Sequence, residues 1–370
     1  MTFQGLGFWL VAIPVMIILV GILVLGHELG HFITARLARM RVLEFGIGFP
    51  PKAKVLGHDR HGTEYTLNYL PIGGFVRLEG EESNSDDPEA FVNSGIVKQV
   101  IVLAAGVAMN LVIAFVLFFV VALLWNPTVG LKASYIMSGG AAERAGLPAG
   151  ATIESIDGQR FGFLSTEDVL TAIRARPGET VTIGYVDLDG SHKTLDATLA
   201  NNNGTGQLGI SCSEGAKTSC TWDQVIMYGH QDPITAIGTA AGQTGLSLRL
   251  VLDGLGGLAS SFFNHPAQAP AGVAGPVGIT EVVGNVLFGY GPILLLLLAA
   301  VLSANLALVN VLPFPPLDGG KIAIMVAKRV AGKRGVSAVE AASYMVGFVL
   351  LMAFIAWISF FDIARLIGGS

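Results

Sequence analysis

The chain has 370 residues, of which 52% are hydrophobic and only 13% charged, and its mean hydropathy is +0.62. A soluble domain carries about 25% charged residues, so charge here is too scarce to coat a soluble surface of this size. The net charge of -5, mixed in sign, leaves no basic footprint for nucleic acid.

The opening MTFQGLGFWL has no basic leader, and no small-residue cleavage site closes its apolar run. It reads as a retained membrane helix rather than a signal peptide. A span needs about 20 mainly apolar residues, and four segments qualify. The first is Phe8 to Gly26, which continues without a breaker into HELGHFITARLARM, giving a helix over 1–40. Residues 41–96 follow, with aromatic, β-branched and glycine-rich runs that predict short strands and hairpins at the membrane, then the acidic, solvated loop EESNSDDPEA. The second span lies within 97–125. A soluble α/β module follows over 126–205, with the alternating run TVTIGYV and turn signals at Asp157-Gly158, Pro177-Gly178 and Asp189-Gly190.

Residues 206–290 read as a linker and membrane-surface segment. They include the run SCSEGAKTSC, where Cys212 and Cys220 form a candidate short-loop disulfide, with two free thiols as the alternative. NHPAQAPAGVAGPVG is an irregular linker. The third span and the LDG run occupy 291–320, a basic loop 321–340, and the fourth span with the C-terminus 341–370. The chain is thus expected to be an α-helical multi-pass membrane protein with a membrane-associated β region and one extramembrane α/β module. Arg36, Arg39, Arg41, Lys52 and Lys54 follow the first span; Lys321, Lys328, Arg329, Lys333 and Arg334 lie between the third and fourth. Four spans put both clusters on one side, which the positive-inside rule makes cytoplasmic. The module and both termini then fall outside.

The central motif is His27-Glu28-Leu29-Gly30-His31. Positions i and i+4 of a helix share a face, so the two imidazoles can bind one ion. Two neutral imidazoles suit zinc, and the glutamate suits a base acting on metal-bound water. The bland reading, a surface histidine pair, fails beside an apolar span, where ionisable groups are expensive. A catalytic zinc has three protein ligands and an open position. Nearby candidates for the third are Glu44, His58, Asp59, His61 and Glu64. A distant one is Asp318, in NVLPFPPLDGGK, where prolines stiffen the chain and Gly319 and Gly320 permit a sharp turn. Asp318 can equally be an N-cap for the following helix. Chemistry alone does not choose.

These motifs carry a family resemblance. HELGH at 27–31, FGIGF at 45–49, PIGGFVRLEGE at 71–81, GPVGI at 275–279 and NVLPFPPLDGG at 310–320 resemble the site-2 protease family of intramembrane zinc metalloproteases, in its bacterial RseP-like branch. The resemblance covers most of the chain. It implies one zinc ion held by His27, His31 and Asp318, with Glu28 as catalytic base. Asn305 and Asn310 match asparagines that place the substrate; their alternative is helix packing. The chain reads Val311, Phe314 and Pro316 where the family pattern differs, all apolar changes. SGGAAERAGLPAGATIESIDGQRF at 138–161 is similar to bacterial PDZ domains, which implies a single PDZ domain outside the cytoplasm.

The resemblance further implies a bacterial cytoplasmic membrane and single-span membrane protein substrates, such as anti-sigma factors or remnant signal peptides. An upstream site-1 protease would trim the same substrates first. The glycine-rich runs around Gly73 and Gly74 would let an extended substrate strand approach. The competing readings are a non-catalytic zinc scaffold recruiting partners through the PDZ domain, and a transporter. The latter lacks paired broken spans in matching halves.

Overall fold

A computed structural model describes residues 5–165, 167–212, 224–264, 274–332 and 338–368. The chain divides into two compact units. One combines Met1–Phe119 with Ile237–Ser370, and the other is Val120–Ala236. In the first, α1 is Leu6–Leu37, β1 Val42–His58, β2 Glu64–Leu78 and α2 Ile96–Leu124. The second holds β3 (Thr128–Lys132), β4 (Tyr135–Ile136), α3 (Ala141–Ala145), β5 (Thr152–Ile156), β6 (Gln159–Arg160), α4 (Val169–Arg174), β7 (Thr180–Val186), β8 (His192–Thr198), β9 (Ala200–Asn202), β10 (Thr205–Gln207), β11 (Ile210–Ser211) and β12 (Gln224–Met227). Helices α5 (Pro233–Asn264), α6 (Pro276–Tyr290), α7 (Pro292–Val311), α8 (Asp318–Val330) and α9 (Ala338–Gly368) complete the chain.

Four helices are long and apolar enough to cross a membrane: Leu6–Leu37, Ile96–Leu124, Pro292–Val311 and Val339–Ile367. They coincide with the four expected spans. Pro14 lies inside α1, a position tolerated in membrane helices because neighbours re-satisfy the freed carbonyl. α1 carries HELGH on the same unbroken helix. It stops where Arg39 turns left-handed (φ 60°) and Met40 N–H reaches back to Ala35 O at 2.9 Å.

The expected short hairpins are two long, bent strands. β1 and β2 pair antiparallel, and residues 44–47 have partners in both 64–67 and 74–77. β2 leans on α1. Gly73 sits at φ 72°, and a Cβ there would fall 2.8 Å from Val24, so only glycine allows this approach. The acidic loop is mostly exposed, as expected, and is anchored besides: Arg41 meets Asp87 at 2.6 Å, and Ser85 donates to Glu79 at 2.6 Å. α6 opens with Gly275-Pro276, and its Gly278 N–H donates to the buried Asp362 of α9 at 2.9 Å. That carboxylate satisfies an orphan donor of the helix start.

The Val120–Ala236 unit is an ordinary α/β domain. Its main sheet runs β12-β3-β5-β7-β8, with β6 on β5. Ile153, Ile156, Phe161, Val181 and Ile183 fill the core with α4 residues Val169, Ala172 and Ile173. The Asp157-Gly158 turn has both residues at positive φ (51° and 77°), the geometry that a two-residue hairpin between twisted strands demands. This unit extends beyond the expected 126–205. β12, in the stretch read as linker, pairs with β3 from Gln224↔Leu131 to Met227↔Thr128. Cys220, the linker residues 265–273, and Lys333 and Arg334 lie outside the described residues.

Candidate metal centre

Two turns of α1 present the imidazoles. His27 and His31 are each 6% exposed, and their Nε2 atoms stand 3.1 Å apart. Their separation of four residues puts both on the face turned to α2. There Gly106 leaves the room they occupy: a Cβ would fall 2.4 Å from His31 Nε2 and 2.7 Å from His27 Nε2. α2 also orients the rings. His31 Nδ1 donates to Val102 O at 2.8 Å, which fixes the tautomer that leaves Nε2 free to bind. His27 Nδ1 lies 3.1 Å from the side-chain amide of Asn110, whose Oδ1 is buried without a partner. Turning that amide over, a choice set by the hydrogen-bond network, satisfies Oδ1 and gives His27 the same tautomer as His31.

Asp318 joins them from 291 residues away in sequence. Its Oδ2 lies 3.0 Å from His27 Nε2 and 3.2 Å from His31 Nε2. It is the first residue of α8, and no side-chain hydrogen bond caps that helix, so its carboxylate serves the histidines. The turn before it is folded tightly. A Cβ on Gly320 would meet Phe314 C and O at 2.5 Å, and one on Gly319 would meet Val311 C at 2.4 Å.

Three donors bound to one tetrahedral zinc at about 2.0–2.1 Å stand about 3.3 Å apart. The three Nε2 and Oδ2 separations, 3.0, 3.1 and 3.2 Å, fit that set. So do the donor chemistry, the Gly106 cradle and the orphaned Asn110 oxygen. Glu28 completes the cluster, with a carboxylate oxygen within 4.8 Å of the imidazole nitrogens. Its Oε2 accepts from Val76 N–H of β2 at 3.1 Å, so the hairpin reaches the centre.

The nearer candidates for a third ligand are engaged elsewhere. Asp59 pairs with Arg36, and Glu64 with Lys52 at 2.5 Å. Glu44 pairs with Arg77 at 3.0 Å and accepts from Thr66 at 2.8 Å. His58 stands 3.8 Å from Glu64, and His61 is exposed in the turn between β1 and β2. Asn310 donates to Leu306 O of its own helix at 2.9 Å, and Asn305 Oδ1 is buried without a partner. A Cβ on Gly74 would fall 2.8 Å from Gly46 O and 2.9 Å from Leu25 of α1. Sequence reasoning passed over Gly106 and Asn110. Their only sequence signal is a glycine and an amide, four residues apart, inside the apolar run AAGVAMN.

The profile of peptidase family M50 matches residues 15–354. A candidate zinc metalloprotease of Clostridium acetobutylicum is 32% identical over 364 residues, covering 95% of this chain and 97% of that protein. One of Fusobacterium nucleatum is 31% identical over 359 residues, covering 95% and 98%. One of the cyanobacterium Synechocystis is 30% identical over 361 residues, covering 93% and 91%. With a His-Glu-His cluster on a membrane-length helix and a match across nearly its whole length, this chain belongs to peptidase family M50.

Proposed function

We propose that the protein is an intramembrane zinc endopeptidase that cuts single-span membrane proteins in or near their membrane segments. The observation that carries this reading is the convergence of His27, His31 and Asp318 on one point beside Glu28, at the end of an apolar helix. Zinc, when bound, supplies a Lewis acid that polarises the scissile carbonyl and acidifies water. Glu28 takes a proton from the attacking water and delivers it to the leaving amine. Val76 N–H orients the Glu28 carboxylate. Val102 and Asn110 hold the ligand tautomers. A purely structural zinc site needs no such glutamate, which disfavours the scaffold reading.

A substrate helix must unwind to expose its amide, and its freed backbone groups need partners within the membrane. The β1–β2 hairpin supplies strand edges for this, with Gly73 and Gly74 at its approach to α1, and Asn305 and Asn310 as amides on α7. The Val120–Ala236 unit acts as a PDZ domain outside the cytoplasm, gating substrates by size or reading the end left by a prior site-1 cut. Anti-sigma factors and remnant signal peptides in a bacterial cytoplasmic membrane are the substrate classes in view. Cys212 and Cys220 would close a short extracytoplasmic loop.

The test is cleavage of a single-span test substrate by detergent-purified protein beside Glu28→Gln, with bound zinc quantified. Activity should fall by about 10²- to 10⁴-fold with about one zinc retained. Equal cleavage by both proteins removes Glu28 from the mechanism. Zinc without cleavage in the native chain, on substrates both trimmed and untrimmed, favours the scaffold.

A further inference from the structure

Lys321 stands on α8 one turn after Asp318. Its ammonium donates to Glu81 Oε1 at 2.7 Å, and both side chains are largely shielded (29% and 15% exposed). Glu81 lies three residues past the end of β2, in a turn tied to it by Glu81 N–H to Leu78 O at 3.4 Å, and Glu79 N–H donates to Arg41 O at 3.0 Å. Five residues upstream on the same segment, Val76 N–H holds Glu28. The contacts therefore close a ring: α1 carries Glu28 and the histidines, the histidines meet Asp318, α8 runs from Asp318 to Lys321, and Glu81 and β2 lead back to Glu28.

We propose that Lys321 and Glu81 form a positioning pair: their ion pair pins the start of α8 to the strand that holds Glu28, and so sets the third metal ligand against the base. The inference rests on the metallopeptidase reading of the centre. Packing alone does not supply this link, because a cavity of about 400 Å³ opens beside the pair, lined among others by Glu81, Lys321, Met325 and Tyr344. Burial opposes the charge on Lys321, but Glu81 and Asp318 beside it hold its pKa above the ordinary lysine range. The ammonium is held on Glu81, one turn of α8 from Asp318. Removing one partner strands the other charge in a shielded site, and α8 loses its tether one turn from the ligand.

The experiment compares the native chain with Lys321→Met, Glu81→Gln, their double variant and Lys321→Arg. It reads zinc affinity by chelator competition, the visible spectrum of the cobalt-loaded protein, and kcat and KM on a single-span test substrate. Each single variant should lower zinc affinity and kcat about tenfold, alter the cobalt bands, and leave KM within about twofold. The double should be no worse than either single, as for one shared interaction, and Lys321→Arg should recover most of the loss. Unchanged affinity and spectrum in both singles would overturn the proposal. So would losses that multiply in the double, or an arginine variant as poor as the methionine one. If Lys321→Met does not fold, Glu81→Gln and Lys321→Arg decide by the same criteria. A native chain that binds no zinc sinks the metallopeptidase reading instead. One that binds zinc without cleaving still lets affinity and spectrum decide on the pair.

Discussion

In the Val120–Ala236 unit, apolar side chains lie inside: Ile153, Ile156 and Ile183 expose nothing, and the ion pairs Lys193–Asp187 and Arg160–Glu154 reach its surface. In the unit that holds the metal centre, long stretches are reversed. Leu6, Leu10, Ile18 and Ile22 of α1 and Met345, Val349 and Phe360 of α9 face outward, while His27, His31, Asn110, Ser303 and Asp318 are buried. One physical rule gives both patterns. In water, apolar area is removed from solvent at about 25 cal/mol per Å². In hydrocarbon, the apolar surface is already at home, and polar groups must find partners inside. Buried polar residues are therefore unremarkable where water surrounds a domain edge, but in a membrane bundle they mark the working site.

The contrast can be broken most severely at the ligands. Asp318→Ala or His27→Ala should leave no zinc bound after dialysis, with cleavage undetectable; retained stoichiometric zinc in Asp318→Ala would remove it from the ligand set. Gly106→Ala comes next. An added methyl would sit 2.4 Å from His31 Nε2, so zinc affinity should fall at least about 100-fold, while the melting of the α/β unit stays unchanged. In that α/β unit, Ile153→Ala should cost about 2–5 kcal/mol of its stability, measured by denaturant unfolding, and leave zinc content untouched. The smallest effect is at Asn110. Asn110→Ala removes the amide beside His27 Nδ1 and should weaken zinc binding about 10- to 100-fold, and Asn110→Asp, which keeps an acceptor there, should weaken it less. An Asn110→Ala protein with native affinity would show that Asn110 does not fix the His27 ring.

Much of this was legible along the chain. The four spans follow from runs of about 20 apolar residues, and the strands of the α/β unit from alternation and turn residues such as Asp157-Gly158. His27, Glu28 and His31 announce themselves because a helix puts i and i+4 together without any help from the rest of the fold. The bent pairing of β1 and β2 was not legible. Its glycine-rich, two-sided apolar stretches specify register weakly, and contact with α1 at Gly73 settles it. Nor was the extent of the α/β unit legible, because β12 joins the sheet across a break in hydrophobic pattern.

By itself, then, the sequence determined which segments enter the membrane, which residues make the first two donors of the centre, and which segment forms a water-facing domain. These are local properties, set by composition and by the periods of helix and strand. Residue chemistry left the third donor open and the motif resemblance pointed to Asp318; tertiary structure carries it to the imidazoles and pairs Glu44, Asp59 and Glu64 with Arg77, Arg36 and Lys52 instead. It also decided that Gly106 and Asn110 serve the histidines from α2, and that Val76 and the Lys321–Glu81 pair tie the hairpin to the centre. Contacts between distant segments depend on how helices cross and which groups are already satisfied, and no local periodicity encodes that.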